Sequence, residues 1–150
     1  MATEEFMTLA MQAAPLHPVA FVALPYLFRR FAQNERSLFS YLASLEPFGF
    51  RELAGRGRLI ALADVFDYVE ANFGAAVAVQ YRGRRWAEAF DLLTREVWSE
   101  VDQRVLKTVA TLAVLGDYCH LRPTEELILT AAARTADEAE AVRAALARLR

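Results

Sequence analysis

The chain has 150 residues, 55% of them hydrophobic, with 17 Lys and Arg against 19 Asp and Glu for a formal charge of -2. That length suits one domain, or two small helical subdomains sharing a boundary. Near-balanced charge excludes a general attraction for nucleic acid or an anionic membrane, and the single cysteine, Cys119, excludes an intrachain disulfide.

Glu4 and Glu5 occupy the place where a signal peptide needs basic residues. The most apolar stretch, Pro18 to Phe28, is about half the roughly 20 residues that cross a bilayer, and Pro25 interrupts it. A cytoplasmic protein with no membrane association is expected.

Thr3 to Ala14 reads as a first helix stopped by Pro15 and Pro18. Pro25 suits the first turn of a second helix, where Leu24, Leu27, Phe28 and Phe31 form an apolar stripe opposite Arg29 and Arg30. Asn34 is placed as an N-cap for a helix from about Glu35 to Leu45, burying Leu38, Phe39, Tyr41, Leu42 and Leu45. Pro47 to Phe50 reads as a turn, and Ala54 to Arg58 as a flexible basic loop.

A long helix is expected from about Leu59 to Phe73, with Gly74 as its C-cap, and Ala75 to Tyr81 is the only strand-like run. From Gly83 an amphipathic helix should run to about Val101, burying Trp86, Phe90, Leu93, Val97 and Trp98. Val105 to Leu115 reads as a buried helix and His120 to Arg122 as a short extended step. Thr124 caps the next helix, and Thr135 with Glu138 reads as a capping box opening a last helix to Arg150. The predicted fold is therefore all-α. A helical, lid-like region over residues 1–102 precedes an incomplete helix-turn-helix or winged-helix-like region over 103–150. The pattern stops without a breaker at Arg150, which reads as a piece of a larger protein or a separate subunit.

The residues that carry chemistry form no complete catalytic site. No Gly-x-x-x-x-Gly-Lys-Ser/Thr string is present, and the only lysine, Lys107, lies within an apolar helix. Gly55 to Arg58 has glycines and positive charge but no aligned helix start, so a plain connector competes with a phosphate cradle. Asp64 and Asp67 share a helix face, read as solvated rather than metal-binding. His17, His120 and Cys119 offer no ligand pair at zinc spacing, and no serine sits in a nucleophile elbow. Cys119 reads as a small buried hydrophobe. The helix at Thr135 begins with Asp137, Glu138 and Glu140, which would meet phosphates with like charge, so nucleic acid is disfavoured. Arg51, Arg56, Arg58, Arg82, Arg84 and Arg85 would make a basic patch for phosphates or an acidic partner if their two loops meet; otherwise they are solvated loop arginines.

The segment from Leu24-Pro25-Tyr26-Leu27-Phe28 through Gln33-Asn34-Glu35-Arg36-Ser37-Leu38-Phe39 resembles part of large bacterial P-loop ATPases of the AAA/STAND type, some linked to anti-phage defence. Trp86 in a long helix, Leu106-Lys107-Thr108-Val109 opening an apolar helix, and the helix-turn-helix-like end extend the likeness over most of Pro18 to Arg150. The resemblance implies a helical lid followed by a winged helix, with Arg36 as a γ-phosphate sensor or, alternatively, as one half of a salt bridge. Walker A and Walker B elements are missing, so ATP and Mg would bind only together with a P-loop core that this chain lacks. The implied partner is that core or another protein. A self-associating helical module and a DNA-binding winged helix are the competing readings.

Overall fold

The computed structural model describes residues 3–31, 36–79, 83–115 and 121–150, and among them every regular element is a helix. In chain order these are α1 (Thr3–Gln12), α2 (Pro18–Phe31), α3 (Arg36–Ala43), α4 (Phe50–Leu53), α5 (Leu62–Ala78), α6 (Gly83–Arg95), α7 (Glu100–Leu115), α8 (Glu125–Ala132) and α9 (Ala139–Arg148). Among the described residues no helix is long and apolar enough to cross a membrane.

α7 organises the packing. It lies against α5 and α6 on one side and α8 and α9 on the other, and also touches α2. Leu112, Val114 and Leu115 of α7 join Leu27, Leu62, Phe66 and Trp86 before it, and Ile128, Ala131, Val142 and Ala145 after it, in one buried cluster. Each apolar stripe closes on a neighbour because a lone amphipathic helix gains little stability in water.

The start of α2 is pinned twice. His17 sits at the N-cap, where its Nδ1 accepts the Val19 N–H at 3.1 Å, and its own N–H donates to the Ile60 carbonyl at 2.9 Å. The Ile60 N–H in turn donates to the Pro15 carbonyl at 2.8 Å, so a single parallel bridge ties the segment before α5 to the segment before α2.

Several local expectations are corrected. α2 begins at Pro18 and runs through Pro25, which lies inside the helix rather than in its first turn. Its ring is on the exposed side, where water can serve the carbonyl that loses its donor. Among the described side chains of α3 only Tyr41 is fully buried, Phe39 and Leu42 are exposed, and Leu45 lies exposed beyond the helix, which ends at Ala43; the Asn34 cap lies outside the described residues. α5 starts at Leu62 and continues past Gly74 to Ala78, so the strand expected from Ala75 is helical to Ala78 and ends in a turn at Val79, the last residue described there. Gly74 does not end the helix. A Cβ there would run into the Glu70 carboxylate, which receives the Trp86 indole N–H at 2.8 Å.

The long helix expected from Gly83 to Val101 is two helices. α6 ends at Arg95, Val97 is fully exposed, and Ser99 starts α7 by accepting the Asp102 N–H at 3.1 Å. The Thr124 cap is present, with Oγ1 accepting the Leu127 N–H at 3.2 Å. The Thr135–Glu138 capping box is not. Glu138 Oε2 instead accepts the Arg134 N–H at 2.7 Å, and a 3-10 turn over Ala136–Glu138 precedes α9.

Candidate functional site

Where α5, α7 and the turn after α8 converge, they enclose a cleft of about 380 Å³, within the range of small-molecule sites (roughly 300–1,000 Å³). Its charged lining comes from distant stretches of chain: Arg56 and Arg58 before α5, Asp64 and Asp67 on α5, Glu100, Arg104 and Lys107 on α7, and Arg134 after α8.

Asp64 is the hub. It occupies the third position of α5, 6% exposed, and its Oδ2 accepts the Ala61 N–H at 2.9 Å, closing the open end of the helix. Gly57, at φ 68, turns the chain after a 3-10 turn and delivers Arg58 to the same carboxylate. Arg58 donates to both Asp64 oxygens at 2.9 and 3.1 Å, and Arg134 to both at 3.2 and 3.3 Å. Burial pushes the Asp64 carboxyl upward. The Arg58 and Ala61 hydrogen bonds and the charges of Arg134 and Arg58 outweigh it, and hold the group below the usual carboxylate range. The reading of Asp64 and Asp67 as a solvated face is thus corrected.

Asp67 pairs with Lys107 Nζ at 2.7 Å. Burial dominates there, and together with the Asp64 charge raises its carboxyl against the pull of Lys107. Arg104, only 5% exposed, donates to Glu138 at 2.7 Å. Burial raises Glu138 too, but Arg104 and the Arg134 N–H bring it below its ordinary value. The Nε atoms of Arg104 and Arg134 are buried without a hydrogen-bond partner. Each such donor costs about 1–3 kcal/mol.

A second hollow of about 450 Å³ shares Phe48, Asp67, Gln103 and Lys107 with the cleft and continues past Phe66, Phe90 and Leu93. Phe48 stands at its rim with φ 62, a left-handed conformation that bulky residues rarely adopt, and its N–H donates to Glu52 Oε2 at 2.6 Å. Below this hollow, Phe66 stacks on Trp86 with ring centroids 4.2 Å apart.

Of the six arginines read as a basic patch, Arg56 and Arg58 come together on the cleft. Arg51 donates to the Ala43 carbonyl at 3.0 Å, and Arg84 on the exposed first turn of α6 pairs with Glu88 at 3.0 Å. Arg85 is exposed beside it, and Arg82 lies outside the described residues. Arg36 opens α3, and its side chain lies outside the described residues, as do Cys119 and His120. Arg104 and Arg134 were not singled out from sequence, and Lys107 was noted only as the lone lysine of an apolar helix. The available signal was two cations three positions apart, Arg104 and Lys107, leading into the apolar half of a helix. Among the described residues no group of three or more His, Cys, Asp and Glu side chains is placed to hold a metal ion. No protein-family model, curated protein or solved structure matches the chain.

Proposed function

We propose that this chain is a non-catalytic regulatory region of a cytoplasmic P-loop ATPase of the AAA/STAND type, a helical lid followed by a winged-helix-like end. In this reading it docks on the ATPase core and relays nucleotide state through helix packing, with Arg36 at the nucleotide. The observation that carries the reading is on α3. The helix that Arg36 opens leaves Phe39 67% exposed and Leu42 37% exposed, and Leu45 just beyond it is 75% exposed. Large apolar side chains left in water on a short helix suit burial against a partner. Support for relay comes from Asp64, which ties the segment before α5 to the turn before α9.

The DNA-binding alternative has less support. Arg143 and Arg148 of α9 pair with Glu140 and Asp102, and Arg150 pairs with Glu125. The test is co-purification with the separately expressed ATPase core, with and without ATP. Retention that responds to nucleotide and is lost in a Phe39→Ala/Leu45→Ala variant is the expected result. No retention in either nucleotide state rejects the reading, and retention on duplex DNA with a steep salt slope favours the alternative.

A further inference from the structure

We propose that the cleft between α5, α7 and the turn after α8 binds a small phosphate monoester, its dianion facing Arg104, Lys107 and Arg134 and its organic end against Phe48 and Phe90. This site is separate from the α3 surface and stands or falls independently of the partner.

Charge supplies the first reason. Arg58 and Arg134 share the carboxylate of Asp64. The lining sets Arg56, Arg58, Arg104, Lys107 and Arg134 against the carboxylates of Asp64, Asp67 and Glu100. The partners of Arg56 and Arg104, Glu52 and Glu138, lie outside it, so the cleft wall carries surplus positive charge. Glu100 does not cancel it, being 84% exposed and 3.6 Å from Arg134. Asp67 would repel an anion, yet it is already engaged by Lys107 at 2.7 Å. Cations gathered in a recess surrounded by protein act on an anion more strongly than the same cations in open solvent.

Hydrogen bonding supplies the second. Arg104 donates through Nη1 to Glu138 and has a buried Nε with no acceptor, and Arg134 likewise leaves its Nε unserved. The bonds from Arg134 to Asp64, at 3.2 and 3.3 Å, are long for a charge-assisted pair, because Arg58 already holds the same oxygens at 2.9 and 3.1 Å. Arg134 is therefore the more loosely held of the two guanidiniums on Asp64, with only the exposed Glu100 at 3.6 Å besides, and an incoming oxyanion's three oxygens can accept from several planar N–H groups at once.

Shape supplies the third. The polar cleft adjoins the hollow lined by Phe48, Phe90 and Leu93, and the two share Lys107 and Phe48. Phe48 and Phe90 are each 41% exposed, and Phe48 is held in a left-handed backbone conformation at the junction. A bare phosphate would leave this half empty; an aromatic ester fills both.

Lys107 is the only lysine in the chain, which permits a footprint on the unmodified protein. The full chain is acetylated at matched ionic strength in sodium chloride, inorganic phosphate or phenyl phosphate, and modification at Lys107 is followed by mass spectrometry. Slower labelling in phenyl phosphate than in chloride is expected; equal rates overturn the proposal. Titration calorimetry then separates the two halves of the site. Phenyl phosphate should bind about tenfold tighter than inorganic phosphate. Phe90→Ala should weaken phenyl phosphate alone, whereas Lys107→Gln should weaken both ligands. Equal affinity for the two ligands overturns the aromatic half, and unchanged binding in a folded Lys107→Gln chain overturns the anion half.

Discussion

Asp64 on α5 is bound by the guanidinium of Arg134, 70 positions later in the chain, at 3.2 and 3.3 Å. Arg58, six positions before it, holds the same oxygens at 2.9 and 3.1 Å. The carboxylate thereby joins an N-terminal loop, the start of α5 and the turn before α9.

Replacing Asp64 by Asn takes the anion from Arg58 and leaves Arg134 only the exposed Glu100, and should destabilise the chain by about 3 kcal/mol, the low end for breaking a buried pair because Arg58 keeps some solvent. The folded carboxyl lies below its unfolded value, so its contribution is complete at neutral pH and is lost as pH falls below about 4. Urea midpoints at neutral and acid pH check this: the gap between wild type and Asp64→Asn should close in acid.

His17 gives the opposite end of the acid range. Burial lowers its pKa, outweighing a hydrogen bond to the Thr130 backbone that raises it, and Nδ1 must be unprotonated to accept the Val19 N–H. Below about pH 6.5 the unfolded chain takes a proton that the folded chain resists, so stability declines as pH falls. His17→Asn, which retains a capping oxygen, should flatten this slope between about pH 6.5 and 5 in thermal melts.

Trp86 is 1% exposed, stacks on Phe66 and donates to Glu70. Trp86→Ala should cost about 3–5 kcal/mol in denaturant titrations. Trp86→Phe, which keeps the stacking and loses the donor to Glu70, should cost distinctly less. Equal losses would show that the ring contributes little beyond its hydrogen bond.

Pro25 interrupts the hydrogen-bond ladder of α2 from its exposed side. Pro25→Ala restores an N–H for the Phe21 carbonyl and removes the ring clash, while loosening the unfolded chain by a smaller amount. A net gain of about 1–2 kcal/mol is expected, read as a higher melting temperature.

Much of the helical plan was legible in the residues. Apolar repeats at helical spacing mark α2, α5, α6 and α7, and Thr124 marks the start of α8, because periodicity and caps are local properties of the backbone. Local signals misled where packing overrode them: α2 tolerates Pro25, and α5 passes Gly74, whose missing Cβ leaves room for the Glu70 carboxylate that holds Trp86. A Ser99 cap within a continuous apolar pattern was available and divides α6 from α7.

Periodicity says which face of a helix is apolar but not what covers it, so the exposure of Phe39 and Leu45 on an apparently buried stripe emerged only in three dimensions. The cleft is a still more tertiary feature. Asp64, Lys107 and Arg134 each look like isolated charges in the chain, and ion pairs across tens of positions leave no local trace. Sequence determined that this is a helical chain without a complete P-loop; the packing of α7 between α5 and the turn before α9 decided where its cations meet.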